Sequence, residues 1–273
     1  MNFAGLLGIL AALGITTFAI LDSTKNPKIF ADPHGILIVV GGTMTVALLS
    51  FSFRKLADAF KIVVRKMLGK ERDNYMETIQ LIVKLADTYR TNPKGLEALL
   101  PVNSHPFLKD AVQMITSYGF NAEELNDVLS NSIKGKSKRD EEELKVWHTI
   151  SRFPPAFGLL GATLGMIALL QTLGEPGAQS RVGPAMATAL IATFYGLVVA
   201  NLILLPISEK LSAVSSSDKI MRSIIKDGII MIVEKKHPTF IEEFLKQFLS
   251  PTQRAKAGSD SGAAAPKGGK VAA

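Results

Sequence analysis

The chain has no cysteine, which excludes a disulfide framework and any cysteine-ligated metal site. Histidine is scarce too: His34, His105, His148 and His237 lie too far apart in sequence to form a metal-ligand motif. No nucleophile–base pair, phosphate-cradling loop or metal cluster can be picked out, so the residues do not describe an enzyme and require no cofactor. Nor is there an internal repeat of the kind that marks many secondary transporters.

The most informative absence is that of charge. A 47% hydrophobic content, a mean hydropathy of +0.25 and a net charge of +7 fit either a large soluble domain or a membrane protein. Distribution decides between them, because residues 3–21, 35–53, 155–173 and 184–207 hold no Lys, Arg, Asp or Glu. Each block has the roughly 20 residues needed to cross a hydrocarbon core of about 30 Å. A soluble core would intersperse its apolar residues with polar ones at helical or strand period. The first block lacks a basic leader, exceeds the length of a signal h-region and is soon followed by a second apolar run, so it is read as a retained helix.

The expected fold is all-α: an integral membrane protein with four transmembrane helices, a large helical cytoplasmic insertion and a cytoplasmic C-terminal helix. Lys and Arg concentrate in 54–150 and 208–256, while the loops 22–34 and 174–183 hold only Lys25, Lys28 and Arg181. The positive-inside rule then places the long segments and both termini in the cytoplasm. Five regions follow: spans 1 and 2 with a short outer loop (1–53), a cytoplasmic helical domain (54–150), spans 3 and 4 (151–208), a C-terminal helical segment (209–253) and a tail (254–273). The tail, low in complexity and free of large apolar groups, reads as disordered.

In "NYMETIQLIVKLADTYR" the residues Met76, Ile79, Ile82, Val83 and Leu85 or Ala86 recur at helical period. "HPFLKDAVQMITSYG" behaves likewise, with Gly119 as a C-cap. From 121 the chain runs without proline into the third block, which predicts a long helix leaving the membrane, and "KGKSKRDEEELK" on it reads as a solvated face or a docking surface.

Inside the blocks, small and hydroxyl residues stand where a carboxylate would be expected in an ion carrier. Gly158, Gly161 and Gly165 punctuate the third block; Thr163 and Thr172 accompany them, and Thr188, Thr193 and Tyr195 lie in the fourth. Small residues let helices approach closely in lipid, and hydroxyls can bond across them. Pro154 and Pro155 restrict the start of the third block, and Pro206 removes a backbone donor near the inner end of the fourth, so each marks a kink or hinge.

These segments resemble a known family. "PAFGLLGATLGMIALLQ" is similar to the third-span motif of the flagellar stator A subunits, the MotA/PomA family; "GPAMATALIATFYGLVVANLILLPISEKL" resembles its fourth span and "ADPHGILIVVGGTMTVALLSF" its second. "MRSIIKDGIIMIVEKKHPTFIEEFLKQFL" resembles its tail helix, so the likeness covers about residues 1 to 254. It implies an inner-membrane homo-oligomer in which five A subunits surround two MotB-type B subunits, whose single helix brings the missing Asp. Ion flow would drive torque on the rotor switch protein FliG.

By the same resemblance Pro155 and Pro206 fall on the family's prolines of conformational coupling, and Thr193 on its ion-path threonine, with Tyr195, Thr188, Ala162 and Thr163 beside it. Sodium-driven members resemble "GTLIG" where this chain has "GATLG". Their threonine becomes Ala162, and Thr163 sits about 100° around the helix, which favours protons. At the rotor face, "YRTNPKGLEALLP" aligns through Gly95 and leaves Leu100 at the family's Glu; Arg90, Lys94 and Glu97 are the charges that remain. The alternatives are an ExbB/TolQ-like energiser of outer-membrane processes and a sodium-driven PomA-type stator. The basic tail suits membrane lipid, and no nucleic acid is expected.

Overall fold

The computed structural model describes residues 3–68 and 74–254, so the tail 255–273 lies outside the described residues. All regular structure among them is helical: α1 (Phe3–Ser23), α2 (Pro33–Ile36), α3 (Gly42–Ser50), α4 (Phe53–Leu68), α5 (Tyr75–Thr91), α6 (Pro106–Thr116), α7 (Ala122–Ile150), α8 (Phe153–Thr172), α9 (Gln179–Val198), α10 (Leu205–Val233) and α11 (Pro238–Lys246). A 3-10 turn, Pro27–Phe30, precedes α2, and π segments join α2 to α3 (Leu37–Gly41) and α9 to α10 (Val199–Leu204). The runs Pro27–Ser50, Ala122–Thr172 and Gln179–Val233 are long and apolar enough to cross a membrane, and Leu10–Ser23 adds a shorter apolar stretch.

Two compact units form. The first comprises residues 1–71 and 139–215, and the second 72–138 and 216–273. The expected insertion 54–150 is therefore shared: α4 and the end of α7 pack with the apolar helices, and its middle packs with the chain from 216 on.

The second unit has a core of large aliphatic side chains. Ile79, Ile82 and Leu85 of α5, Leu108 and Val112 of α6, Leu125 and Leu129 of α7, and Ile224, Ile225 and Ile229 of α10 are buried with Ile241 and Leu245 of α11. The periodicity of "NYMETIQLIVKLADTYR" is borne out, since Ile79, Ile82, Leu85 and Ala86 are the buried face of α5. Gly119 has a φ of +67°, the left-handed conformation in which glycine ends a helix without steric penalty. His105 and His237 each precede a proline and start a helix, and each ring Nδ1 accepts the backbone N–H two residues on, from Phe107 and Thr239.

In the first unit, α4 uses Ala59 and Val63 to pack on Val146 and Trp147 of α7 and Leu211 of α10. Beside them the Lys66 ammonium donates to Asp140 at 3.1 Å and to Glu143 at 3.4 Å. Asp140 is only 3% exposed, so this part of "KGKSKRDEEELK" is a buried anchor and not a solvated face. The chain from 121 is not one continuous helix. It breaks at Ser151 and Arg152, because Pro154 and Pro155 have no N–H to return to Ile150 and Ser151. Ahead of Pro206 the π segment Val199–Leu204 accommodates the missing donor, so the irregularity falls where that proline predicts. The π turn Leu37–Gly41 has no proline to mark it.

Candidate ion-path helices

α8 and α9 approach through the residues that lack bulk. A Cβ placed on Gly158 would stand 2.8 Å from the carbonyl oxygen of Ala192, and one on Gly161 or Gly165 would stand 2.8 Å from the Cβ of Ala192 or Ala189. Gly158 and Gly161 are buried with Ala189 and Ala192. At the start of α8 a Cβ on Gly196 would run into the Pro154 carbonyl and lie 3.1 Å from the Cα of Pro155. A Cβ on Gly42 would meet the Phe157 ring, which brings the π-to-α3 junction onto α8. In lipid a leucine gains nothing by leaving solvent, so contact of this kind rests on dispersion between closely spaced backbones.

The hydroxyls divide into two groups. Thr163, Thr172, Thr43, Thr16 and Thr45 return their protons to carbonyls of their own helices, at Leu160, Leu169, Val39, Ala12 and Gly41. Among the described residues of these helices, two hydroxyls reach across. Thr193, half-buried, donates to the Gly158 carbonyl at 3.3 Å. The Tyr195 hydroxyl donates to the Phe30 carbonyl and accepts the Asp32 N–H, the latter at 3.1 Å.

The expected ion-path residues are thus dispersed. Thr193 lies in the α8–α9 contact. Ala162 is half-buried next to the glycine face, and Thr163 is exposed among Leu159, Leu160 and Leu164. Thr188 is exposed, and the Tyr195 hydroxyl is bonded to the connection before α2. Pro155 lies against Gly196, and Pro206 follows the π segment. In the second unit Arg90 is exposed on the last turn of α5. Glu97 is also exposed, and its Oε1 accepts from the Thr116 hydroxyl at 2.6 Å. Lys94 lies on the turn Pro93–Gly95, but its side chain is outside the described residues.

Two contributors were not singled out from sequence. Gly196 had a visible signal, since with Ala192 and Ala189 it continues a small-residue stripe at helical spacing. The pairing of Tyr195 with Phe30 and Asp32 spans more than 160 positions and leaves no periodic trace.

Residues 102–217 match the model of the MotA/TolQ/ExbB proton channel family. Across 256 residues the chain is 30% identical to the chemotaxis protein PomA of Vibrio alginolyticus, covering 93% of this chain and 98% of that protein. It is 28% identical over 251 residues to motility protein A of Aquifex aeolicus, covering 89% and 94% of the two. The fold is similar to the flagellar MotAB stator complex from Bacillus subtilis (TM-score 0.82, 23% identity, 92% and 98% covered) and to MotAB of C. jejuni (0.81, 24%, 92% and 97%). The chain belongs to the MotA/PomA family of flagellar stator A subunits, within the MotA/TolQ/ExbB proton channel family.

Proposed function

We propose that this inner-membrane protein is the ion-conducting A subunit of a flagellar stator and works only with a MotB-type partner. The observation that carries this reading is that α8 and α9, packed glycine on alanine, contain no acid or base between Phe153 and Ile207 apart from Glu175 in their connecting loop and Arg181 on the first turn of α9. A proton crossing there needs a titrating partner, and a B-subunit helix carrying an Asp supplies it. The faces of α8 and α9 turned away from each other present Leu159, Leu170, Met186 and Leu190 to lipid, to that helix and to neighbouring A subunits.

Five A subunits around two B subunits complete the assembly in this reading. α1, the Pro27–Ser50 run, α8 and α9 make four crossings with both ends in the cytoplasm. Each unit charge moved across 100 mV releases about 2.3 kcal/mol, which turns the A ring in a small step, and the exposed end of α5 with the turns bearing Arg90, Lys94 and Glu97 passes that step to FliG. Protons are the favoured ion because Ala162, and not a hydroxyl, lies next to the glycine face, while Thr163 spends its proton on Leu160.

Co-expression with the B subunit restores swimming to a stator-deficient cell, and this chain alone does not. Swimming that stops in sodium-free medium would replace the proton by sodium. Vigorous cation flux from the purified chain without a partner would overturn the whole reading. Because the native chain is free of cysteine, single cysteines at Lys25, Arg181 and Lys109 report topology: an impermeant thiol reagent labels the first two from outside and not the third.

A further inference from the structure

Four consecutive residues of α9 hold two other segments, α8 and the connection before α2. Thr193 bonds the Gly158 carbonyl of α8, and Gly196 is pressed on Pro154. Phe194 meets Phe30 edge-on with ring centroids 5.5 Å apart. Between them, Tyr195 places one hydroxyl on two backbone groups of the connection before α2.

Those two groups have little else to bond. The Phe30 carbonyl ends a 3-10 turn, and the Asp32 N–H precedes a helix whose first residue is Pro33. The Asp32 carboxylate is engaged with its own helix start, accepting the N–H groups of His34 and Gly35 at 3.1 and 3.0 Å. Only a group that donates and accepts at once can satisfy a carbonyl and an amide from one atom, and a hydroxyl does so. The ring is admitted by Gly35, where a Cβ would come within 3.3 Å of Tyr195 Cδ2 and 3.0 Å of Asp32 Oδ2. The buried glycine and the paired backbone bonds both fit this one side chain.

We propose that Tyr195 is a positioning residue, a latch that fixes the Pro27–Asp32 connection and the start of the Pro27–Ser50 run to α9, so that the outer mouth of the ion path moves with the helix that Thr193 and Gly196 tie to α8. The proposal rests on the stator reading for its functional half. Its structural half stands on the contacts alone. The hydroxyl is engaged with backbone, so it guides the path by shape and contributes no ligand to the ion.

The test is Tyr195→Phe, which keeps the ring and deletes both bonds. In the full chain in lipid nanodiscs, hydrogen exchange of a peptide spanning Asp32 accelerates about tenfold, while peptides of α8 around Gly161 are unchanged. Phe30→Leu removes the ring contact, keeps both backbone bonds and leaves the Asp32 amide protected. Unchanged exchange in Y195F overturns the latch whatever the motor does.

In cells with the B partner, bead assays resolved to single stators separate positioning from mere loss of protein. Near stall, ion transit approaches equilibrium and torque reports the driving force. At low load, speed reports the rate of transit and of the coupled step. Y195F lowers low-load speed about twofold or more and leaves stall torque per stator unchanged. A proportional fall in both, or no fall in either, overturns the functional half. If the unsubstituted chain fails to power any cell, the stator reading falls and the exchange result still decides the latch.

Discussion

The two units of this chain solve the packing problem in opposite ways. In the second, the largest aliphatic residues are inside: Ile79, Ile82, Leu85, Ile224 and Ile229 are fully buried. In the first, the closest helix contact is made by Gly158, Gly161, Gly165, Ala189 and Ala192, while Phe18 and Leu170 are 70% and 64% exposed. The difference lies in the solvent. In water each Å² of apolar surface removed gives about 25 cal/mol, so bulk goes inward. In hydrocarbon that gain vanishes, and shaving side chains at the contact is what brings backbones together. Where α4 and the ends of α7 and α10 meet, Trp147, Val63 and Leu211 pack as in water although they belong to the apolar unit.

The largest expected effect comes from truncating the water-type core. Ile82→Ala, whose side chain also packs on Gly228, should destabilise the second unit by about 2–5 kcal/mol. This is measurable as a lowered denaturant midpoint of the purified chain. The same loss of apolar bulk in Leu170→Ala should shift stability by less than about 0.5 kcal/mol in lipid. Equal costs at the two sites would break the comparison. Next in size is the reverse substitution, Gly158→Val. With the Ala192 carbonyl 2.8 Å from the new Cβ and Thr193 Cα at 3.0 Å, the helices must separate, at about 1–3 kcal/mol. The lower thermal stability should be accompanied by loss of motility even where membrane abundance is normal.

A smaller effect is electrostatic and confined to the second unit. Burial pushes the Asp218 carboxyl up, but hydrogen bonds from His105 and Arg222 and their positive charges outweigh it and hold the group at about 2 against an ordinary 3.8. Arg222 also lies over the Phe107 ring, 4.8 Å from its centroid, so the pair ties α6 to α10. A carboxyl with a depressed folded pKa adds stability that is complete above 3.8 and is lost as pH falls toward about 2. Because Asp218 is partly solvated, the contribution is of order 1 kcal/mol. Asp218→Asn should remove that acid-limb slope while leaving the pH dependence elsewhere intact.

Much of this contrast is legible in the sequence. Charge-free blocks and a 3.6-residue apolar period report the environment of each helix directly, because side-chain polarity is what each solvent selects. Gly158, Gly161 and Gly165 are legible for the same reason, as gaps repeated on one face. The partners of isolated side chains are not. Lys66 finds Asp140 across 74 positions, and Tyr195 finds Phe30 across 165, through the tertiary arrangement alone. The hydroxyls alone are a poor guide as well, since most threonines in the apolar helices bond their own turn and, among the described residues of these helices, Thr193 and Tyr195 are the ones whose hydroxyls reach another segment.

A small stability effect also belongs to Thr193, and it sharpens the comparison most. Its bond to the Gly158 carbonyl is long at 3.3 Å and half-buried, and Thr193→Val preserves shape and branching. Side-chain bonds between helices in lipid average about 0.6 kcal/mol, so the variant should accumulate and melt almost as the native protein does. If the hydroxyl also borders the ion path, swimming speed in the presence of the B subunit falls severalfold while abundance and melting barely move. A speed that merely follows abundance would make Thr193 one more contact of the small-residue interface. The ion path would then lie on the exposed sides of α8 and α9, where Thr163 and Thr188 stand among leucines.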